Sequence, residues 1–141
     1  MLTVGDHVPN VQVNDQNEAV VDLTKGNVIL YFYPKDDTPG CVKEACGFRD
    51  NYRAFKNARI YGVSVDDAEH HKKFIAKYSL PFPLIANGKE LAKRMGVFGL
   101  VTAKRITFII KNGTIEHVFE SVTADGHALD VLAQLKELRM E

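Results

Sequence analysis

Hydrophobic spacing along the chain alternates between strand-like and helix-like. The segment NVILYFYP at residues 27–34 is a continuous apolar run of strand length, rich in β-branched and aromatic residues, and predicts a strand buried on both faces. Ahead of it, NVQV and AVVDL alternate weakly around the turn-like NDQN and predict a short N-terminal hairpin. Pro39 and Gly40 interrupt the pattern. From Cys41 onward, Val42, Ala45, Cys46, Phe48, Arg49, Tyr52 and Phe55 fall at roughly helical spacing, with Pro39 suited to the first turn. ARIYGVSV then reads as a second buried strand. DDAEHHKKFIAKYSL reads as a helix with Asp66 at its N-cap and Glu69 three residues on. Within it, His70 and His71 are adjacent and about 100° apart, beside Lys72 and Lys73, which predicts a solvated face.

After Pro81, FPLI predicts a short strand, and GKELAKRMGV a short helix closed by Gly96. RITFII and TIEHVFE form a hairpin across Asn112 and Gly113. DGHALDVLAQLKELRM closes the chain as an amphipathic helix with Leu129, Leu132, Ala133, Leu135 and Leu138 on its apolar side. The order is hairpin, β, α, β, α, β, α, β, β, α. It predicts one α/β domain over residues 1–141, a central mixed sheet flanked by helices, with its last two strands antiparallel. In such sheets, ligands sit beyond the carboxyl ends of parallel strands, which is where the loop from Pro34 to Cys41 lies.

Composition narrows the function classes. Eighteen basic and eighteen acidic residues give zero formal net charge, so no global field draws in nucleic acid or an anionic membrane, and a small neutral substrate fits better. The N-terminal segment lacks a basic region followed by an apolar run, and nowhere do eighteen apolar residues stand together. The expectation is a cytoplasmic protein. In a reducing compartment, two cysteines are more often catalytic or metal-binding than a structural bridge.

Those two cysteines, Cys41 and Cys46, stand in YFYPKDDTPGCVKEACGFRD. Cys41 opens the expected helix, where unpaired backbone N–H groups and the macrodipole favour the thiolate, the reactive form. The nearby charges do not decide the matter, because Lys35 and Lys43 are offset by Asp36, Asp37 and Glu44. Cys46 lies about 140° around the helix and about 7.5 Å along it, so the two Cα atoms are roughly 8.6 Å apart. A disulfide needs less than about 7 Å. Joining the two therefore requires the first turns to unwind. Each cysteine could instead be a buried small apolar residue. A zinc site wants four ligands, and none of the five histidines has a companion spacing.

The same stretch resembles the active-site segment of peroxiredoxins, with Pro34, Thr38 and Cys41 at the family's spacing, and its extended form resembles the bacterioferritin comigratory protein, or Q-type, subfamily. The similarity continues through GVSVDDAEHHKKFIAKYSLPFPLI, RITFIIKNGTI and GHALDVLAQL. The resemblance implies a thioredoxin-like fold and a thiol peroxidase that uses no cofactor or metal. Cys41 would be the peroxidatic cysteine and Cys46 the resolving one, joined in an intramolecular disulfide. Arg105 would be the site's arginine in preference to Arg94 or Arg49. Thr38 would hydrogen-bond the peroxide and the thiolate, Pro34 would shield the pocket, and Glu44 would help orient the arginine. Thioredoxin, or glutaredoxin, would be the reductant, and the chain a monomer. Dimeric relatives carry a resolving cysteine near the C-terminus, which LAQLKELRME lacks. Thioredoxins separate their cysteines by two residues and place a proline before the facing strand, whereas here four residues intervene and Ile106 precedes Thr107. The alternatives are a general thiol-disulfide oxidoreductase and a non-enzymatic redox or metal-binding module.

Overall fold

The computed structural model describes residues 1–140. A two-stranded antiparallel hairpin comes first, β1 (Val13–Asn14) and β2 (Val20–Val21). The remaining elements are β3 (Asn27–Phe32), α1 (Pro39–Asp50), β4 (Ala58–Val63), α2 (Ala68–Tyr78), β5 (Leu84–Ile85), α3 (Lys89–Met95), β6 (Ile106–Lys111), β7 (Thr114–Phe119) and α4 (His127–Glu137). Five of these strands build one sheet in the order β5-β4-β3-β6-β7. β3 pairs parallel with β4 and antiparallel with β6, β4 pairs parallel with β5, and β6 pairs antiparallel with β7. This is the mixed α/β sheet with an N-terminal hairpin that the hydrophobic pattern predicts.

Two cores explain why β3 is apolar throughout. Successive side chains of a strand point to opposite faces. Val28, Leu30 and Phe32 accordingly pack with Phe108, Ile110 and the α3 residues Leu91 and Met95. Ile29, Tyr31 and Tyr33 pack on the other face with Phe48 of α1, Phe74 of α2 and Val131 and Leu135 of α4. Both faces are covered, as expected for a strand flanked by a parallel neighbour and helices. The β6–β7 turn places Asn112 and Gly113 in the left-handed region, with φ of 49° and 83°, the backbone such a two-residue hairpin needs.

Four local expectations change. α1 stops at Asp50, and Tyr52–Ala54 forms a separate 3-10 turn, so the apolar residues Tyr52 and Phe55 belong to the connection. The N-cap of α2 is Asp67, whose Oδ1 accepts from the backbone N–H of His70 at 2.9 Å. Asp66 is engaged elsewhere, accepting from Ser64 Oγ and from the Asp36 backbone. The buried side of α4 is His127, Ala128, Val131 and Leu135, while Leu129 is 58% exposed. His71 is not on a solvated face: it is completely buried.

Candidate active site

The cysteine stretch sits where three elements meet. Thr38 precedes α1 in an extended conformation, Pro39 fills the first helical position, and Cys41 follows in the first turn, where backbone N–H groups lack intrahelical partners. Cys41 is 1% exposed. The antiparallel pairing of β3 with β6 matches Phe32 with Ile106. Arg105, just ahead of β6, is thereby delivered to the carboxyl end of β3 and to the loop that leads into α1.

Arg105 completes a chain of three side chains. Its Nη2 donates to Cys41 Sγ at 3.3 Å and its Nη1 to Glu44 Oε1 at 2.7 Å. Glu44 lies three residues after Cys41, on the same helix face. A Cβ on Gly40 would stand 3.0 Å from Arg105 Nη2, so the absent side chain lets the guanidinium lie against the first turn. Burial works against the charge of Arg105, but the Cys41 sulfur and the Glu44 carboxylate outweigh it and hold the guanidinium above its ordinary range. Arg49 instead donates to the Tyr78 carbonyl and to Asp50, and Arg94 pairs with Glu90. Neither reaches the sulfur.

Glu44 is buried with its charge only partly matched. Burial lifts its carboxyl to about 7 against the opposing pull of Arg105. Its second oxygen, Oε2, has no hydrogen-bond partner among the described residues and lies 3.9 Å from His127 Nε2. That ring nitrogen is 2.8 Å from Thr107 Oγ1. Burial drives the His127 imidazole down to about 4, with Asp130 opposing and Arg105 assisting, so at neutral pH the ring is uncharged. Phe48 and Phe119 meet it edge-on.

Cys46 shares the unbroken helix α1 with Cys41, is half-buried, and both thiols are free. Pro34 and Thr38 are half-buried in the connecting loop. The Thr38 hydroxyl donates to the Lys35 carbonyl at 2.9 Å and closes that loop. Sequence reasoning thus names Arg105 and Glu44, which join Cys41 in one hydrogen-bonded chain, but misses the polar wall behind them, Thr107 and His127, and the buried His71. Helical spacing held a trace of the last two: His71 precedes the buried Phe74 by three residues, and His127 precedes Val131 by four.

Chemically, a sulfur at a helix start with a guanidinium alongside is a nucleophile in a field that favours negative charge. Tyr31, stacked on Phe48 at 4.8 Å, contributes an apolar wall, and burial keeps its hydroxyl neutral well beyond the ordinary phenol range.

Comparison with known proteins agrees with this architecture. A sequence model of the AhpC/TSA family matches residues 4–118. A Coxiella burnetii protein described as a peroxiredoxin bcp is 42% identical over 149 residues, covering 95% of this chain and 99% of that protein. The chloroplastic peroxiredoxin Q of Oryza sativa subsp. japonica is 40% identical over 130 residues, or 85% of this chain; the match spans 60% of that longer protein. The crystal structure of peroxidoxin BcpB from Mycobacterium tuberculosis superposes with a TM-score of 0.90 at 33% identity, covering 99% of each chain. No helix among the described residues is long and apolar enough to cross a membrane.

Proposed function

The chain belongs to the AhpC/TSA family and, within it, to the peroxiredoxin Q and bacterioferritin comigratory proteins, and from that membership we propose that it is a thiol peroxidase with Cys41 as its nucleophile. The observation that carries the reading is the Arg105 bridge between the Cys41 sulfur and the Glu44 carboxylate. The proposed substrates are hydrogen peroxide and organic hydroperoxides, and the role is antioxidant defence in a reducing cytoplasm.

In the first step the Cys41 thiolate attacks one peroxide oxygen, the O–O bond breaks, and the departing oxygen takes up a proton and leaves as water or an alcohol. Cys41 is left as a sulfenic acid. Arg105 and the first-turn amides lower the barrier by stabilising the negative charge that moves from sulfur to oxygen. Thr38 turns its hydroxyl from the Lys35 carbonyl toward the bound peroxide, and Pro34 limits the approach of water. Cys46 then resolves the sulfenic acid: its thiol attacks Cys41 sulfur, water departs, and a Cys41–Cys46 disulfide remains. Because α1 is continuous through both residues, this step requires its first turns to unwind. An external dithiol, thioredoxin or glutaredoxin, reduces the disulfide by thiol exchange. The reading takes the protein as a monomer.

Peroxide consumption by the reduced protein tests this. Cys41→Ser should abolish turnover. Cys46→Ser should give a single oxidation and a sulfenic acid trapped by dimedone and seen by mass spectrometry. Equal loss of the first oxidation in both variants would contradict the two roles, and reduction of a model disulfide without peroxide consumption would make the protein a thiol-disulfide oxidoreductase.

A further inference from the structure

A second buried hydrogen-bonded pair borders the cysteine loop, and the reaction described above makes no use of it. Asp36, in the loop between β3 and α1, faces His71 of α2, with Oδ2 and Nδ1 2.6 Å apart. The other ring nitrogen, Nε2, lies 2.9 Å from the Ile85 carbonyl of β5. Their side chains are 6% and 0% exposed. A carbonyl oxygen can only accept, so Nε2 carries a proton and donates. Between Nδ1 and Asp36 there is then one further proton to share. Tyr33 donates its hydroxyl to the other Asp36 oxygen. His71 is therefore hydrogen-bonded through both ring nitrogens, and no polar atom of this pair is left without a partner.

The pair is the inner part of a wider strap. The Asp36 backbone N–H donates to Asp66 Oδ2, which also accepts from Ser64 Oγ. Asp37, held in the left-handed region with φ of 58°, accepts from Lys77 Nζ and from the Tyr78 hydroxyl, both at 2.7 Å. The titratable groups around His71 include Asp36 from the loop, Tyr33 just after β3, Asp66 ahead of α2 and Asp67 at its N-cap, whose carbonyl accepts from the His71 N–H. The His71 ring bonds both the loop and the edge strand β5, and it does so out of contact with water.

We propose that His71 is a positioning residue for the chemistry of Cys41: a buried ring, bonded at both nitrogens, that clamps the Pro34–Thr38 loop to β5 and so sets where Thr38 and the first turn of α1 stand relative to the sulfur. The sulfur depends on that placement because its stabilising partners, the first-turn amides and Arg105 Nη2, act only over short distances. The choice of peroxide as oxidant rests on the function proposed above, but the effect on Cys41 reactivity does not.

The test follows iodoacetamide alkylation of Cys41 across pH, with Cys46→Ser as the parent so that one thiol reports, together with peroxide consumption in a single turnover. His71→Phe fills the volume but cannot donate. Asp36→Ala removes the clamped group, so it carries the test if His71→Phe fails to fold. Both should move the alkylation profile to higher pH and slow reaction with peroxide by about tenfold to a hundredfold. Asp36→Asn should stay close to the parent, because its amide donates to Nδ1 while its carbonyl accepts from Tyr33. Phe74→Leu, in the core beneath the same helix, controls for lost stability and should lower the urea midpoint without moving the alkylation profile. Folded His71→Phe or Asp36→Ala with the parent's profile overturns the proposal, as does an Asp36→Asn variant as impaired as Asp36→Ala. A parent that alkylates normally but consumes no peroxide refutes the peroxidase reading and leaves the His71 result to be judged on alkylation alone.

Discussion

Two carboxylates are buried around one loop, and their surroundings differ. Asp36 has both oxygens bonded, one by Tyr33 and one by His71. Glu44 has one oxygen bonded by Arg105 and the other facing the neutral His127 at 3.9 Å without a hydrogen bond. A buried polar group left unmatched costs far more than a matched one gains. The Asp36 pair holds geometry, whereas Glu44 is held near a protonation change, at about 7. Chains use buried charge in both ways, and the count of satisfied lone pairs separates them.

The strongest way to break the contrast is to remove the cation that only Glu44 and Cys41 share. Arg105→Ala should slow the attack of Cys41 on peroxide by on the order of a hundredfold or more, the loss seen when a preorganised electrostatic stabiliser is removed. A single-turnover rate unchanged by the substitution would take Arg105 out of the site.

Glu44→Gln sharpens the comparison through pH. The Glu44 carboxyl rises from 4.5 to about 7 on folding, so between these values the folded state holds a proton the unfolded state has released. Stability contributed by this group is present below pH 4.5 and lost as pH rises through 7, a change of roughly 3 kcal/mol. His127 falls from 6.5 to about 4, so it acts in the opposite sense, with stability lost as pH falls from 6.5 through 4. Between pH 4.5 and 6.5 the two slopes cancel. Urea unfolding of Glu44→Gln should therefore uncover a loss of stability on acidification that the parent hides, and a pH limb near 7 in the peroxide rate should disappear with it. Parallel stability curves for parent and variant from pH 4 to 8 would contradict the assignment.

The smallest effect belongs to the outer arm of the strap. Lys77 and Asp37 are largely solvent-exposed, and exposed pairs contribute little because water and salt screen them. Lys77→Ala should leave the alkylation profile and the urea midpoint where they are, while Asp36→Ala moves the profile. Equal effects from the two would mean that the loop is held from the surface and not by its buried pair.

How far the sequence could be read differs between these parts. The apolar run of β3, the Pro-Gly break and the helical spacing after Cys41 are local patterns, and the structure follows them in element order and in the placement of Cys41 in the first turn of α1. The boundary at Asp50 was less legible, because Tyr52 and Phe55 keep an apolar rhythm while packing from a 3-10 turn. In α4 the expected side holds at Leu135, with Leu132 and Leu138 partly buried, while Leu129 turns outward and His127 inward. In α2, two lysines next to His71 suggested solvent, yet the ring points inward to an aspartate 35 residues earlier in the chain.

By itself, then, the sequence determined the order of strands and helices, the nucleophile's place at a helix start, and the separation of Cys41 from Cys46 along one helix. Those follow from periodicity and helix geometry, which act over a few neighbouring residues. Only the tertiary structure decided that Glu44 keeps an unmatched oxygen, that His127 is neutral behind it, and that His71 clamps the loop. Each of these depends on which polar atoms meet away from water, and the pairing of β3 with β6 and the packing of α2 and α4 bring together residues 20 to 84 positions apart.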